Sequence, residues 1–266
     1  MTSQEEQMVL KRVEQPSPQW AWLPMDEVED VHVIVVEGPE AIFLRLSKFY
    51  DNLERLMKEI QKHASIQKQP SNCHMMLEEG DCCLGKPSES EEWNRALVRG
   101  KPTEDTVELF FVDFGDTEVV PWSHVLPIPD KFITQLPFQI IECFLFGVKF
   151  LYQDPDDQEW EDEVINMIYD ITQTDDEVPV AKRLSVKASF GEEKGLYTDG
   201  RRYSVVLADC SVEPLNPSFI NSIMASSNYA VPAILMDYVR EDDFDDEDFN
   251  FLFLDYRSRP KLAQRG

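Results

Sequence analysis

Basic residues are scarce in this sequence. In 266 residues, 25 Lys and Arg stand against 51 Asp and Glu, a formal net charge of −26. A surface so poor in cations excludes a general grip on nucleic acid, because phosphates must be neutralised by Lys and Arg. The expected partners are cationic, such as Arg- or Lys-rich peptides. Cysteine is sparse and odd in number, at five, and residues 1–7 lack the apolar stretch of an export signal. Thiols in a reducing compartment are therefore expected. No apolar run approaches the ~18 residues a membrane-spanning helix needs. The four histidines, His32, His63, His74 and His124, show no Ser/His/Asp arrangement. Cys73-His74 with Cys82-Cys83 matches none of the paired zinc spacings, and no cofactor is expected.

Hydrophobic residues make up 42% of the chain, enough for a real core. Residues 1–27 read as a mobile arm with an anchor at Trp20 and Trp22. Strands are expected over 32–36 and 41–46. Helical spacing then sets in at Phe49, Tyr50, Leu53, Leu56, Met57 and Ile60, with Ser47 as N-cap. Residues 67–80 are a polar linker. Short strands crowd residues 81–123, and Gly115 suits a tight hairpin, so a small closed barrel is expected. One buried strand is expected over 140–150. A helix follows with Trp160, Val164, Met167, Ile168 and Ile171 on its face. Two more strands (184–190 and 203–208) and a short helix (217–229) complete the body. Residues 241–248 hold seven acids in eight positions, and 249–256 are aromatic and apolar.

The strings Trp93-Asn94-Arg95-Ala96-Leu97-Val98 and Leu109-Phe110-Phe111-Val112-Asp113-Phe114-Gly115-Asp116 resemble the core of a Tudor domain. Leu136-Pro137-Phe138-Gln139-Ile140-Ile141-Glu142-Cys143 resembles the segment that follows that core in extended Tudor domains. The resemblance implies an α+β, mainly β fold. A small Tudor barrel (81–135) would be inserted into a staphylococcal-nuclease-like barrel assembled from 28–66 and 136–235, with an acidic and aromatic tail over 236–266. It also implies a non-catalytic reader of arginine-rich, often dimethylated, tails of Piwi-family proteins, in germ granules of the piRNA pathway. The C-terminal Tudor region of a Spindle-E-like helicase is one such setting.

A planar, weakly hydrated guanidinium slides between aromatic rings, each good contact being worth about 0.5–2 kcal/mol. The family's cage implies aromatic walls at Phe111 and Phe114. Asn94 replaces a family Tyr, Pro87 stands near a family Phe, and Asp116 replaces the family Asn. A cage with half its walls implies weak selectivity for dimethylarginine, and a carboxylate at Asp116 suits an arginine that keeps its donors. By alternation, Phe110, Val112 and Trp93 are assigned to the barrel interior. Arg95 and Asp113 are expected to pair across strands as support, and Gly115 to shape the turn. Two other readings stand beside this one. The first is a scaffold or self-association domain with a vestigial cage, and the second an RNA-binding barrel using Lys182-Arg183 and Arg201-Arg202. The tripeptide Asp113-Phe114-Gly115 matches a kinase metal motif, but no His-Arg-Asp or glycine-rich loop accompanies it.

Overall fold

In a computed structural model of the chain, the described residues are 15–25, 27–38, 40–67, 77–150, 158–172, 184–195, 198, 200–211 and 218–232. The elements begin with β1 (Val28–Gly38), β2 (Ala41–Leu46) and α1 (Tyr50–Ala64). Next come β3 (Cys82–Gly85), β4 (Asn94–Gly100), β5 (Thr106–Phe111), β6 (Thr117–Pro121), β7 (Val125–Pro127) and α2 (Asp130–Thr134). The last group is β8 (Ile141–Leu145), β9 (Val148–Phe150), α3 (Gln158–Thr172), β10 (Leu184–Lys194), β11 (Arg201–Asp209), β12 (Ser218–Phe219), α4 (Ile220–Ala225) and β13 (Ala230–Pro232).

Strands β1, β2, β8, β10 and β11 close on themselves. The sheet runs β10-β1-β2-β8-β11, and β11 pairs back to β10. Closure leaves none of these five strands as an edge. A second sheet, β6-β5-β4-β3-β7, comes entirely from the chain between β2 and β8. The small barrel is thus inserted between strands of the large one.

Three buried clusters follow from this layout. Val31, Val33, Leu44, Ile141, Val186 and Leu207 fill the large barrel. Cys83, Ala96, Val98, Leu109, Phe111 and Val120 fill the small one. Between them, α1 lays Leu53, Leu56 and Ile60 against Leu84, Leu97, Phe110, Phe132 and Phe138. Burying each of those three α1 side chains contributes about 1.5–3 kcal/mol, so the helix welds the two barrels together.

Several expectations need correction. Ser47 is not the helix cap. It opens a 3-10 turn, Ser47–Phe49, and the N-cap is Phe49, without a side-chain cap bond. The expected strand over 140–150 is broken by Gly147, whose φ of +71° reverses the chain between β8 and β9. The arm is docked from Gln15 onward. The Gln15 amide and the Cys82 backbone exchange hydrogen bonds of 2.8 and 2.7 Å, and Trp20 meets the Phe138 ring at 5.2 Å. Trp22, the other expected anchor, is exposed. The side chain of Trp160 and the aromatic tail lie outside the described residues, as do Cys73, His74 and Lys182-Arg183. Cys82 and Cys83 face different cores, and burial pushes the Cys82 thiol up to about 12. No group of metal-ligating side chains forms among the described residues.

Candidate functional site

The small barrel has two buried faces, and this decides where the site residues point. Arg95 and Leu97 turn outward, toward α1 and the segment after β7, while Ala96 and Val98 turn inward. Phe110 and Val112 lie on the outward face, in the core between the barrels. Phe111 occupies the interior. The expected assignment of Phe110 and Val112 to the interior is therefore reversed. Alternation separates two faces but cannot say which is inside when both are apolar. Trp93 is likewise half-buried beneath α1. Its backbone is clamped by Gln61, which accepts from Trp93 N–H at 2.8 Å and donates to its carbonyl at 2.7 Å.

Arg95 is the hinge pin of the site. It is fully buried, and its Nε and Nη2 donate to Asp113 at 2.8 and 2.6 Å. Its Nη1 donates to the carbonyls of Phe132 and Leu136, and Nη2 also to that of Pro137. Asp113 Oδ1 in turn accepts the Gln139 amide at 3.2 Å. One guanidinium thus ties β4, the β5–β6 turn, α2 and the strand entering β8 into a single block. The bidentate fork fits a carboxylate as no lysine would.

The β5–β6 turn hangs from this block. Phe111 N–H donates to the Asp116 carbonyl, and Gly115 N–H to the Phe111 carbonyl. Gly115 has φ +88°, and a Cβ there would come within 2.9 Å of Phe43 and 3.3 Å of Val35. The turn therefore presses directly on β1 and β2 of the large barrel, and only glycine allows it. At the same end of the small barrel, Gly85 pairs with Asn94 and Ala96 with Phe111. A Cβ on Gly85 would lie 3.0 Å from the Phe111 ring.

The candidate ligand residues gather here without forming an open box. Phe111 is 1% exposed and serves as interior packing. Asn94 is 7% exposed, shares the inward face of β4, and its Oδ1 has no hydrogen-bond partner. Phe114 is half-buried at the edge of the interior cluster. Asp116 is exposed. Pro87 is half-buried in the turn after β3, which Glu118 holds by accepting the Ser88 amide at 3.1 Å. The expectation that Phe111, Phe114 and Asp116 share one open niche is corrected. Phe111 is interior, Phe114 is half-buried at the rim, and Asp116 is exposed at the turn but partly desolvated.

Two further residues reach this rim from the large barrel. Arg45 of β2 carries its guanidinium over the Phe114 ring, 5.8 Å from the centroid, and its Nη1 donates to the Asp113 carbonyl at 3.3 Å. Burial lowers the Arg45 pKa, opposed by Asp113 and then by Tyr50. Glu37 of β1 has a raised pKa, first from burial and then from the Asp116 carboxylate. Asp116 is itself raised by desolvation and by Glu118, with its own backbone amide opposing. Arg45 and Glu37 are not legible as site residues in the sequence because they lie in a segment remote from the motif. The one available signal was a lone arginine inside the otherwise apolar run Ala41–Leu46.

A small barrel inserted between strands of a larger one has known counterparts. A Tudor-domain family model matches residues 23–147. Those residues are a Tudor domain. The extended Tudor domain of human TDRD1, solved with a symmetrically dimethylated peptide, superposes with a TM-score of 0.69 at 24% identity, covering 81% of this chain and 95% of that one. The Drosophila melanogaster Papi extended Tudor domain, solved with a dimethylated Piwi N-terminal peptide, gives a TM-score of 0.60 at 21% identity, covering 77% and 99%. The fold is that of an extended Tudor domain. In sequence, the chain is 35% identical over 194 residues to a Bombyx mori protein named for an ATP-dependent RNA helicase, TDRD12. The match takes in 73% of this chain and 10% of that protein. It is 33% identical over 129 residues to mouse Tudor domain-containing protein 1, covering 47% of this chain and 11% of that one. The chain thus spans about a tenth of the length of these relatives, and the match to the helicase-named protein is to this Tudor-bearing part.

Proposed function

We propose that this extended Tudor domain is a non-catalytic module that binds arginine-rich tails of Piwi-family proteins, with weak or no preference for the symmetrically dimethylated form. The observation that carries the reading is the rim chemistry. Phe114 already has a guanidinium over its ring, donated in cis by Arg45, and the same β5–β6 turn carries Asp116, whose charge is felt by Glu37 and which itself feels Glu118. A ring that holds the Arg45 guanidinium has the chemistry to hold a peptide's arginine in its place, in competition with Arg45. Methylation keeps the charge but removes donors, so a carboxylate-lined rim favours the arginine with more N–H groups. The solved neighbours with dimethylated peptides support the ligand class, and the interior position of Phe111 supports the loss of selectivity. A cytoplasmic germ-granule setting is part of the same proposal, supported by the likeness to TDRD12 and Tudor domain-containing protein 1.

A second reading is a scaffold with a vestigial cage. It is favoured by the same Arg45 contact, taken as permanent closure of the Phe114 face. RNA binding is disfavoured further, because Arg202 of the Arg201-Arg202 doublet lies 3.7 Å from the buried Glu142 and over the Phe144 ring. Fluorescence anisotropy with a labelled Arg-Ala repeat peptide and with a labelled single-stranded RNA separates the three. Peptide binding that Phe114→Ala and Asp116→Asn abolish supports the reader. Binding indifferent to both supports the scaffold, and salt-sensitive RNA binding supports the third.

A further inference from the structure

A second surface lies at the opposite end of β1. Trp22 is 64% exposed although the chain around it is pinned. Ala21 and Leu23 on either side are buried, and Ala21 N–H donates to the Phe138 carbonyl at 2.7 Å. Successive side chains of an extended segment point to opposite sides, so with its neighbours turned inward the indole must face out. It lines a groove of about 230 Å³ together with Pro24, Pro137 and Phe49, and with Glu27 and Glu29. Lys48, which also lines the groove, is already ion-paired with Glu29. Met25 and Val28, next along the chain, are exposed as well. Glu29 and Glu37 stand eight positions apart on β1, about 25 Å, so this groove is separate from the Phe114 rim.

We infer that this groove is a docking site for an extended, proline-containing basic peptide of a partner protein. Two proline rings and two aromatic rings make rigid apolar walls of the kind that receive polyproline-II segments, which lose little entropy on docking. The exposed indole is the best aromatic face for a cation, and Glu27 supplies a carboxylate beside it. Charge selects among occupants. A second copy would bring the same acids against these acids in a self-complementary contact, between chains of −26 each. An anionic membrane or RNA would meet the same repulsion.

The test uses the full chain and two labelled probes, a Pro-Pro-Arg repeat and a Pro-Pro-Glu repeat, read by anisotropy. The Trp22 indole N–H resonance, assigned with Trp22→Phe, is followed in parallel. The Pro-Pro-Arg probe is expected to bind and move that resonance, and the acidic probe to do neither. Glu27→Lys is expected to weaken binding by about fivefold or more. In a Phe114→Ala background, which removes arginine binding at the rim, Trp22→Ala is expected to abolish what remains, so failure here is distinct from failure of the rim. An unmoved resonance, or binding that survives Trp22→Ala in that background, overturns the inference. So does a concentration-dependent dimer that Trp22→Ala dissolves. Binding that appears only after truncation at residue 256 also overturns it, because it would put the chain's own Arg257-Ser258-Arg259-Pro260-Lys261 in the groove.

Discussion

Asp113→Ala is the perturbation that probes how the Tudor barrel is held. Arg95 and Asp113 are both fully inaccessible to water and joined by two N–H···O bonds of 2.6 and 2.8 Å. Removing the carboxylate leaves the guanidinium buried with only the carbonyls of Phe132, Leu136 and Pro137, and leaves the Gln139 amide without its acceptor. Stranding one charge of a buried pair costs about 3–5 kcal/mol. That is a large fraction of the ~5–15 kcal/mol available to a whole domain. With a urea slope of about 2–3 kcal/mol per molar, the midpoint should fall by roughly 1–2 M. Urea unfolding followed by circular dichroism reads this directly. Replacing both partners, Arg95→Met with Asp113→Leu, should recover only part of the loss, because three carbonyls would then lack donors. A loss below about 1 kcal/mol for Asp113→Ala would refute the reasoning. The pair would then behave as an exposed one, and the barrels would be held by α1 packing alone.

Other expected outcomes follow from the same geometry. Arg45→Gln uncovers the Phe114 ring and removes a like charge from the rim, so Arg-Ala peptide affinity should rise about three- to tenfold in anisotropy titrations; a fall would make Arg45 part of the binding surface. Phe111→Ala should cost about 3–5 kcal/mol in thermal unfolding, because the ring is interior packing; a stable variant that loses only peptide binding would restore it as a cage wall. Glu37 has a folded pKa above its unfolded value, so it destabilises the fold as pH rises through that raised pKa. Glu37→Gln should therefore raise the melting temperature near neutral pH and leave it unchanged below about pH 4, where the carboxyl is protonated in both states. A gain that persists in acid would point to packing instead of charge.

What the sequence displays best is what one period encodes. The 3.6-residue spacing of Leu53, Leu56 and Ile60 marks α1 and its buried face, and Gly115 marks a turn that only glycine permits. The Arg95–Asp113 pair was legible from two adjacent motifs. Less legible was the sense of the small barrel's faces. Because α1 and residues 126–140 cover its outside, Phe110 and Phe111 are both buried, on opposite sides of one strand. A pattern of two apolar faces carries no label for inside. The rim's Arg45 and Glu37 were invisible for a different reason. Only closure of the large barrel brings β1 and β2 against a turn some 70 residues later in the chain.

The central claim is that the rim favours a guanidinium with its donors intact. Calorimetric titration of one Arg-Ala peptide in two states, unmethylated and symmetrically dimethylated, tests it most directly. Modest binding is expected, with the unmethylated form equal or tighter and both forms lost in Phe114→Ala. A clear preference for the dimethylated form, or binding that Phe114→Ala leaves intact, would contradict it.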